Sequence, residues 1–207
     1  PSEFIPIFEK NYFIIKLDEY VYKKVCENIQ EMKKQFKDIP KISVNISKES
    51  LLEKDFLEKY MKITEQCGIS PNDIEIEITE RTTVDNHIDM KEILEEIKEK
   101  GFSIAIDDFG TGYSSLNMLE MLPIDMIKID KSFIDRIGEK NETINLLEII
   151  LLISKKLNLK TVAEGVEKRE QVEYLKKENC DFIQGYFYAK PLGFEALKNY
   201  IKENKQK

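Results

Sequence analysis

The sequence predicts an α/β domain built on a mainly parallel sheet. Two observations carry this. Runs of strand period and helix period alternate along the chain, and each strand-like run ends in a polar or ionisable residue. Strand–helix alternation implies right-handed crossovers between parallel strands. Two architectures then remain, an open doubly wound sheet or a closed (β/α) barrel. An open sheet that holds a nucleotide usually shows a Gly-rich turn after its first strand, and none occurs here. A closed barrel needs eight strands and roughly 250 residues. The 207 residues carry six strand signals, so a barrel would be about two strands short.

The elements follow in order. Residues 17–36 place Leu17, Val21, Val25, Ile29, Met32 and Phe36 at mostly three- and four-residue spacing, an amphipathic helix with Asp18 near its start. Residues 42–46 alternate as a strand. Residues 50–66 read as one helix, with Gly68 where a helix would end. Residues 74–78, Ile-Glu-Ile-Glu-Ile, form the next strand. A helix over 86–100 is stopped by Gly101, and 102–106 is a strand. A short helix over 115–122 is stopped by Pro123, before a strand over 126–129. Helix 142–157, strand 160–163, helix 168–178, strand 181–184 and helix 193–204 complete the series. No repeat or Pro/Gly-rich linker interrupts it, so one domain over 1–207 is expected.

Composition narrows the function classes. Lys and Arg number 32 against 39 Asp and Glu, a formal charge of −7. That argues against a general DNA or RNA binder, which needs a positive face. It leaves room for a phosphate ligand, because a bound cation reverses the local sign. Apolar residues at 42% and charged residues at 34% are an ordinary globular mix. Cys26, Cys67 and Cys180 stand far apart, so neither a disulfide framework nor a zinc site is indicated. With His87 the one histidine, a His-based metal site is disfavoured. The most apolar stretch, 146–153, is interrupted by Glu148 and too short to span a bilayer. No secretory signal is visible, and a cytoplasmic location is expected.

The strand ends hold the chemistry. In a barrel the active site lies at the C-terminal ends of the strands. Asn45, Glu77 with Glu80, Asp107-Asp108, Lys128 with Asp130, Glu164 with Glu167, and Gln184 occupy those ends in turn. Solvated loops would explain any one of them. A polar residue at all six ends is harder to explain that way. Lys128 and Asn45 are flanked by apolar residues, where an unpaired polar group is costly. Adjacent Asp107 and Asp108 repel unless a cation lies between them. Asn, Asp and Glu form an oxygen-only donor set, which suits Mg²⁺ or Mn²⁺, and converging carboxylates with one Lys suit two-metal phosphoryl chemistry. The run 107–116, Asp-Asp-Phe-Gly-Thr-Gly-Tyr-Ser-Ser-Leu, reads as a mobile loop closing on that site.

Together these residues resemble the EAL-domain family, phosphodiesterases that cleave the bacterial messenger cyclic di-GMP. The resemblance runs through Pro1-Ser2-Glu3-Phe4-Ile5-Pro6, Ser43-Val44-Asn45-Ile46-Ser47, Glu77-Ile78-Thr79-Glu80 and the 107–116 run. It continues through Pro123-Ile124-Asp125 to Lys128-Ile129-Asp130, Ala163-Glu164-Gly165-Val166-Glu167 and Gln184-Gly185-Tyr186 to Pro191-Leu192. It implies a (β/α)₈ TIM-like barrel of which six parallel strands are covered. It implies metal ligation by Asn45, Glu77, Asp107 and Asp108, with Lys128 and Glu164 orienting or deprotonating the attacking water. Glu80 would anchor the mobile loop, with Asp130 and Glu167 in support. Gln184 and Pro191 would meet water or substrate. The expected partner is cyclic di-GMP, the product linear pGpG, and a homodimer would form near residues 107–116.

One departure matters. The family's Glu-Ala-Leu motif, with its metal-binding Glu and a nearby Arg, lies on a strand before residue 1. Glu195-Ala196-Leu197 spells the motif but opens the last helix, a coincidence. The expectation is therefore an N-terminally truncated EAL domain, missing the first two family strands and inactive alone. Two other classes stay in play: a non-catalytic sensor that binds cyclic di-GMP, and a metal-dependent barrel enzyme acting on small sugars or acids.

Overall fold

The computed structural model describes residues 3–83, 87–111, 116–138 and 143–204. Residues 1–2, 84–86, 112–115, 139–142 and 205–207 lie outside it. The Pro1-Ser2 start of the family resemblance and the centre of the 107–116 loop are among these.

Six parallel strands pair in chain order: β1 (Ile42–Asn45), β2 (Ile74–Thr79), β3 (Ser103–Phe109), β4 (Met126–Ile129), β5 (Lys160–Ala163) and β6 (Phe182–Ile183). Each crossover carries helix. The described helices are α1 (Ile5–Lys10), α2 (Ile14–Gln35), α3 (Lys48–Leu51), α4 (Phe56–Gln66), α5 (His87–Glu99), α6 (Leu116–Met121), α7 (Lys131–Ile134), α8 (Thr143–Lys156), α9 (Arg169–Lys177) and α10 (Phe194–Asn204).

Alternation along the strands decides which face does what. In β2, Ile74, Ile76 and Ile78 are fully buried and join a core that includes Ile29 of α2, Tyr60 of α4 and Leu94 of α5. Ile104 and Ile106 of β3 and Ile127 and Ile129 of β4 continue that layer. Register-matched residues share a face. Glu75 pairs with Ser43 and Ser103, and Glu77 with Asn45 and Ala105. Thr79 pairs with Asp107, and Lys128 with Val162. One face is therefore apolar and covered by helices, while the other is polar and concave. The curl is visible in one contact: Lys128 of β4 reaches Glu77 of β2, across β3. The result is a half-barrel.

The structure departs from the sequence reading in several places. The helix expected over 50–66 is split into α3 and α4. In one straight helix, Leu51 and Phe56 would point about 140° apart. The break after Leu52 lets both enter the core, at 2% and 4% exposure. Asp18 does not act near a helix start, because α2 begins at Ile14. Its carboxylate instead accepts bonds from the Ser47 N–H at 2.9 Å, Ser47 Oγ at 2.6 Å and Ser50 Oγ at 2.7 Å. These bonds tie α2 to the loop that follows Asn45. The third strand runs on to Phe109, the sixth shrinks to two residues, and α1 and α7 are additional.

Candidate functional site

Lys128 is the hub of the polar face. Its ammonium is 2.8 Å from Glu77 Oε2, 2.9 Å from Asp107 Oδ1 and 2.8 Å from Glu164 Oε1. A lysine has three N–H donors, and three carboxylates from three strands are placed to use them. Burial alone would lower the Lys128 pKa. The carboxylates more than offset that and hold it above the usual lysine value. Burial pushes the Glu164 carboxyl up, against the pull of Lys128.

Asp107 and Asp108 come together through a defect in β3. On a regular strand, neighbours point to opposite faces. The register with β4 shifts between Ile106 and Phe109, and Asp108 has φ of 53°, in the left-handed region. A bulge of this kind re-aims side chains next to active sites. Carboxylate oxygens of Asp107, Asp108 and Glu164 consequently lie within 4.8 Å of one another. Burial first, then the charges of Asp107 and Asp130, raises the Asp108 pKa.

The turn after Asp108 is tied down. Its carbonyl accepts from the Thr111 N–H at 3.3 Å and Thr111 Oγ1 at 2.9 Å. The Gly110 N–H donates to Glu80 Oε2 at 2.9 Å. Glu80 is 1% exposed, in a 3₁₀ turn that continues β2, so the expected loop anchor touches the loop it was expected to hold.

The remaining expected residues fall at the same rim. Asn45 ends β1, exposed and in register with Glu77. Asp130 caps α7, accepting from the Ser132 N–H at 2.9 Å. Glu167 pairs with Lys131, joining the start of α7 to the loop after β5. Gln184 and Pro191 line a cavity of about 570 Å³ with Lys131, Gly165, Glu167 and Tyr186. A second cavity of about 490 Å³, lined by Ser47, Lys48, Thr79, Arg81, Asp108 and Thr111, opens at the β1–β3 side. Arg81 and Lys131 were not singled out in the sequence, since an isolated cation beyond a strand end carries no signal of its own.

The donor set is that of a hard divalent cation. Three carboxylates converge, each able to offer an oxygen, with no thiolate or imidazole among the described residues of the cluster. That chemistry fits Mg²⁺ or Mn²⁺. Glu164 belongs to the oxygen cluster, whereas Glu77 is joined to it through Lys128.

The fold and site together make a parallel half-barrel with an acidic, lysine-centred rim at the C-terminal ends of its strands. The chain belongs to the EAL domain family, which matches residues 1–191. It is 34% identical over 202 residues to the cyclic di-GMP phosphodiesterase NbdA of Pseudomonas aeruginosa, covering 98% of this chain and 26% of that protein. It is 33% identical over 201 residues to the probable cyclic di-GMP phosphodiesterase PdeG of Escherichia coli, covering 97% of this chain and 40% of that protein. The structure of PaMucR phosphodiesterase in its c-di-GMP complex superposes with a TM-score of 0.91 at 31% identity, over 95% of this chain and 80% of that one. The chain spans about a quarter of the length of the first curated relatives it matches. Among the described residues, no helix is long and apolar enough to cross a membrane.

Proposed function

We propose that this chain is the catalytic part of a bacterial, cytoplasmic phosphodiesterase that hydrolyses cyclic di-GMP to linear pGpG. The observation that carries the reading is the convergence of Asp107, Asp108 and Glu164, two of which also pair with Lys128. The names of the relatives NbdA and PdeG and the MucR complex support the substrate. Asn45, Glu77, Asp107, Asp108 and the Glu164 oxygens would hold Mg²⁺ or Mn²⁺. When bound, the ions neutralise the phosphate and lower the pKa of the attacking water.

The protein's own groups do the rest. Lys128 is a poor base, since its three donors are all engaged. It fixes the carboxylates and offsets part of their charge. Glu164, oriented by Lys128, accepts the proton of the water. The water oxygen bonds to phosphorus, the bond from phosphorus to the 3′ oxygen breaks, and that oxygen leaves as a hydroxyl after taking a proton from solvent, to which Glu164 returns the one it accepted. Gln184 and Pro191 border the cavity for the substrate, Glu80 anchors the loop, and Asp130 and Glu167 support the neighbouring turns. Two copies would meet near residues 107–116.

Among the described residues the sheet ends in two unpaired edges, β1 and β6, which further strands would close. The test therefore follows pGpG release in Mn²⁺ from this chain and from the same chain extended at its amino end by two barrel strands. Release by the extended form, with far slower release by the 207 residues alone, is expected. Cyclic di-GMP binding without release by the extended form would make the domain a sensor. Neither binding nor release would refute the reading.

A further inference from the structure

The turn that presents Asp108 has a third constraint besides Thr111 and Glu80. Gly110 has φ of 95°, which L side chains rarely adopt. A Cβ built there would lie 2.5 Å and 2.6 Å from Cε2 and Cζ of Phe133. The aromatic ring thus rests against the glycine, where a side chain would otherwise be. Phe133 belongs to α7, which follows β4 directly, and it packs only partly into the core. The βα unit that supplies Lys128 therefore also supplies the ring that meets the Asp108 turn. Neither the Glu80 bond nor the Thr111 bonds fix the turn against movement toward α7. The ring occupies that space.

We propose that Phe133 is a positioning residue: it seats Gly110 and so holds Asp108 in its left-handed conformation, with its carboxylate beside those of Asp107 and Glu164. What the positioned carboxylate is for rests on the metal-dependent reading above; the seating itself does not. A Leu at 133 keeps apolar bulk against the core but lacks the ring atoms that reach Gly110.

The experiment uses the full chain in four forms: unaltered, Phe133→Leu, Gly110→Ala and the double variant. Without metal, amide exchange by NMR should show the Gly110 N–H losing protection about tenfold or more in Phe133→Leu, while Ile104 and Ile106 exchange as before. With Mn²⁺ titrated into the same four forms extended at the amino end by two barrel strands, both single variants should bind more weakly. The double variant should lose less than the product of the single losses, because the collision and the missing seat are one interaction. Unchanged Gly110 exchange overturns the proposal. So does protection lost evenly along β3, which would make the ring ordinary core, or losses that multiply. If no extended form binds Mn²⁺, the unaltered one included, while Gly110 exchange still responds, the seat stands and the metal reading falls.

Discussion

Replacing Lys128 by Met removes the ammonium and leaves three carboxylates facing one another. Breaking a buried ion pair by deleting one partner costs about 3–5 kcal/mol. Here one cation serves three anions at 2.8, 2.9 and 2.8 Å. The Asp107 and Glu164 side chains keep 15% and 17% exposure, so water replaces part of what they lose. Glu77, at 6%, gains almost none. The expected loss is about 4 kcal/mol at pH 7, a large share of the roughly 5–15 kcal/mol that holds a domain together. Burial already pushes the Glu164 carboxyl up against the pull of Lys128, and without that pull it titrates further above its unfolded value. The deficit is therefore full above the raised folded value and closes as pH falls toward the unfolded value, about pH 4. In the unaltered protein the lysine is held above its usual value of 10.5. Its contribution is complete below that pH and is lost only as pH rises through the folded value. Urea denaturation followed by far-UV circular dichroism at pH 7 and pH 4 measures both points. A loss under about 1 kcal/mol at pH 7, or an equal loss at both pH values, would refute the argument.

Other perturbations separate holding the site from holding the fold. Glu80→Ala leaves the Gly110 N–H without its carboxylate, at a cost of about 1–3 kcal/mol, and should weaken Mn²⁺ binding while the chain stays folded; unchanged calorimetric titration would sink the anchor role. Asp108→Asn should cut Mn²⁺ affinity by about tenfold or more while changing stability by under about 1 kcal/mol, since Asn tolerates the left-handed region and the charges of Asp107 and Asp130 no longer oppose it. A melting point that falls along with the affinity would contradict this. Gly185→Ala should destabilise by about 1–3 kcal/mol or more, because its Cβ would lie 2.2 Å from the Val166 carbonyl oxygen, a backbone atom with little room to move; an unshifted thermal melt would contradict the close approach.

The sequence was most legible where a short-range rule governs. The Ile-Glu-Ile-Glu-Ile alternation fixed β2 and its faces, and the strands Met126–Ile129 and Lys160–Ala163 lie at their expected bounds. Gly68 and Gly101 marked helix ends, and both have positive φ. Asn158 and Asn179 do the same work after α8 and α9, with φ of 58° and 61°, but Asn is common elsewhere in loops and carries no such signal on its own. The rim of polar strand ends was legible, since a parallel sheet puts those ends on one side. The bulge that turns Asp108 beside Asp107 was not, because it arises from a register shift against β4 that no local pattern records. The Phe133 seat and the Asp18–Ser47–Ser50 knot depend on tertiary approach in the same way.

The strand order repeats the chain order without exception among the described strands, and every pairing is parallel and between consecutive strands. No strand has to be inserted between two that are already paired. A polypeptide leaving the ribosome at about 5–20 residues per second can therefore add one strand-and-helix unit at a time to a growing edge. Lys128 emerges after Glu77 and Asp107 and before Glu164. During synthesis the early acidic residues wait for their cation, and the last carboxylate joins when the fifth strand docks.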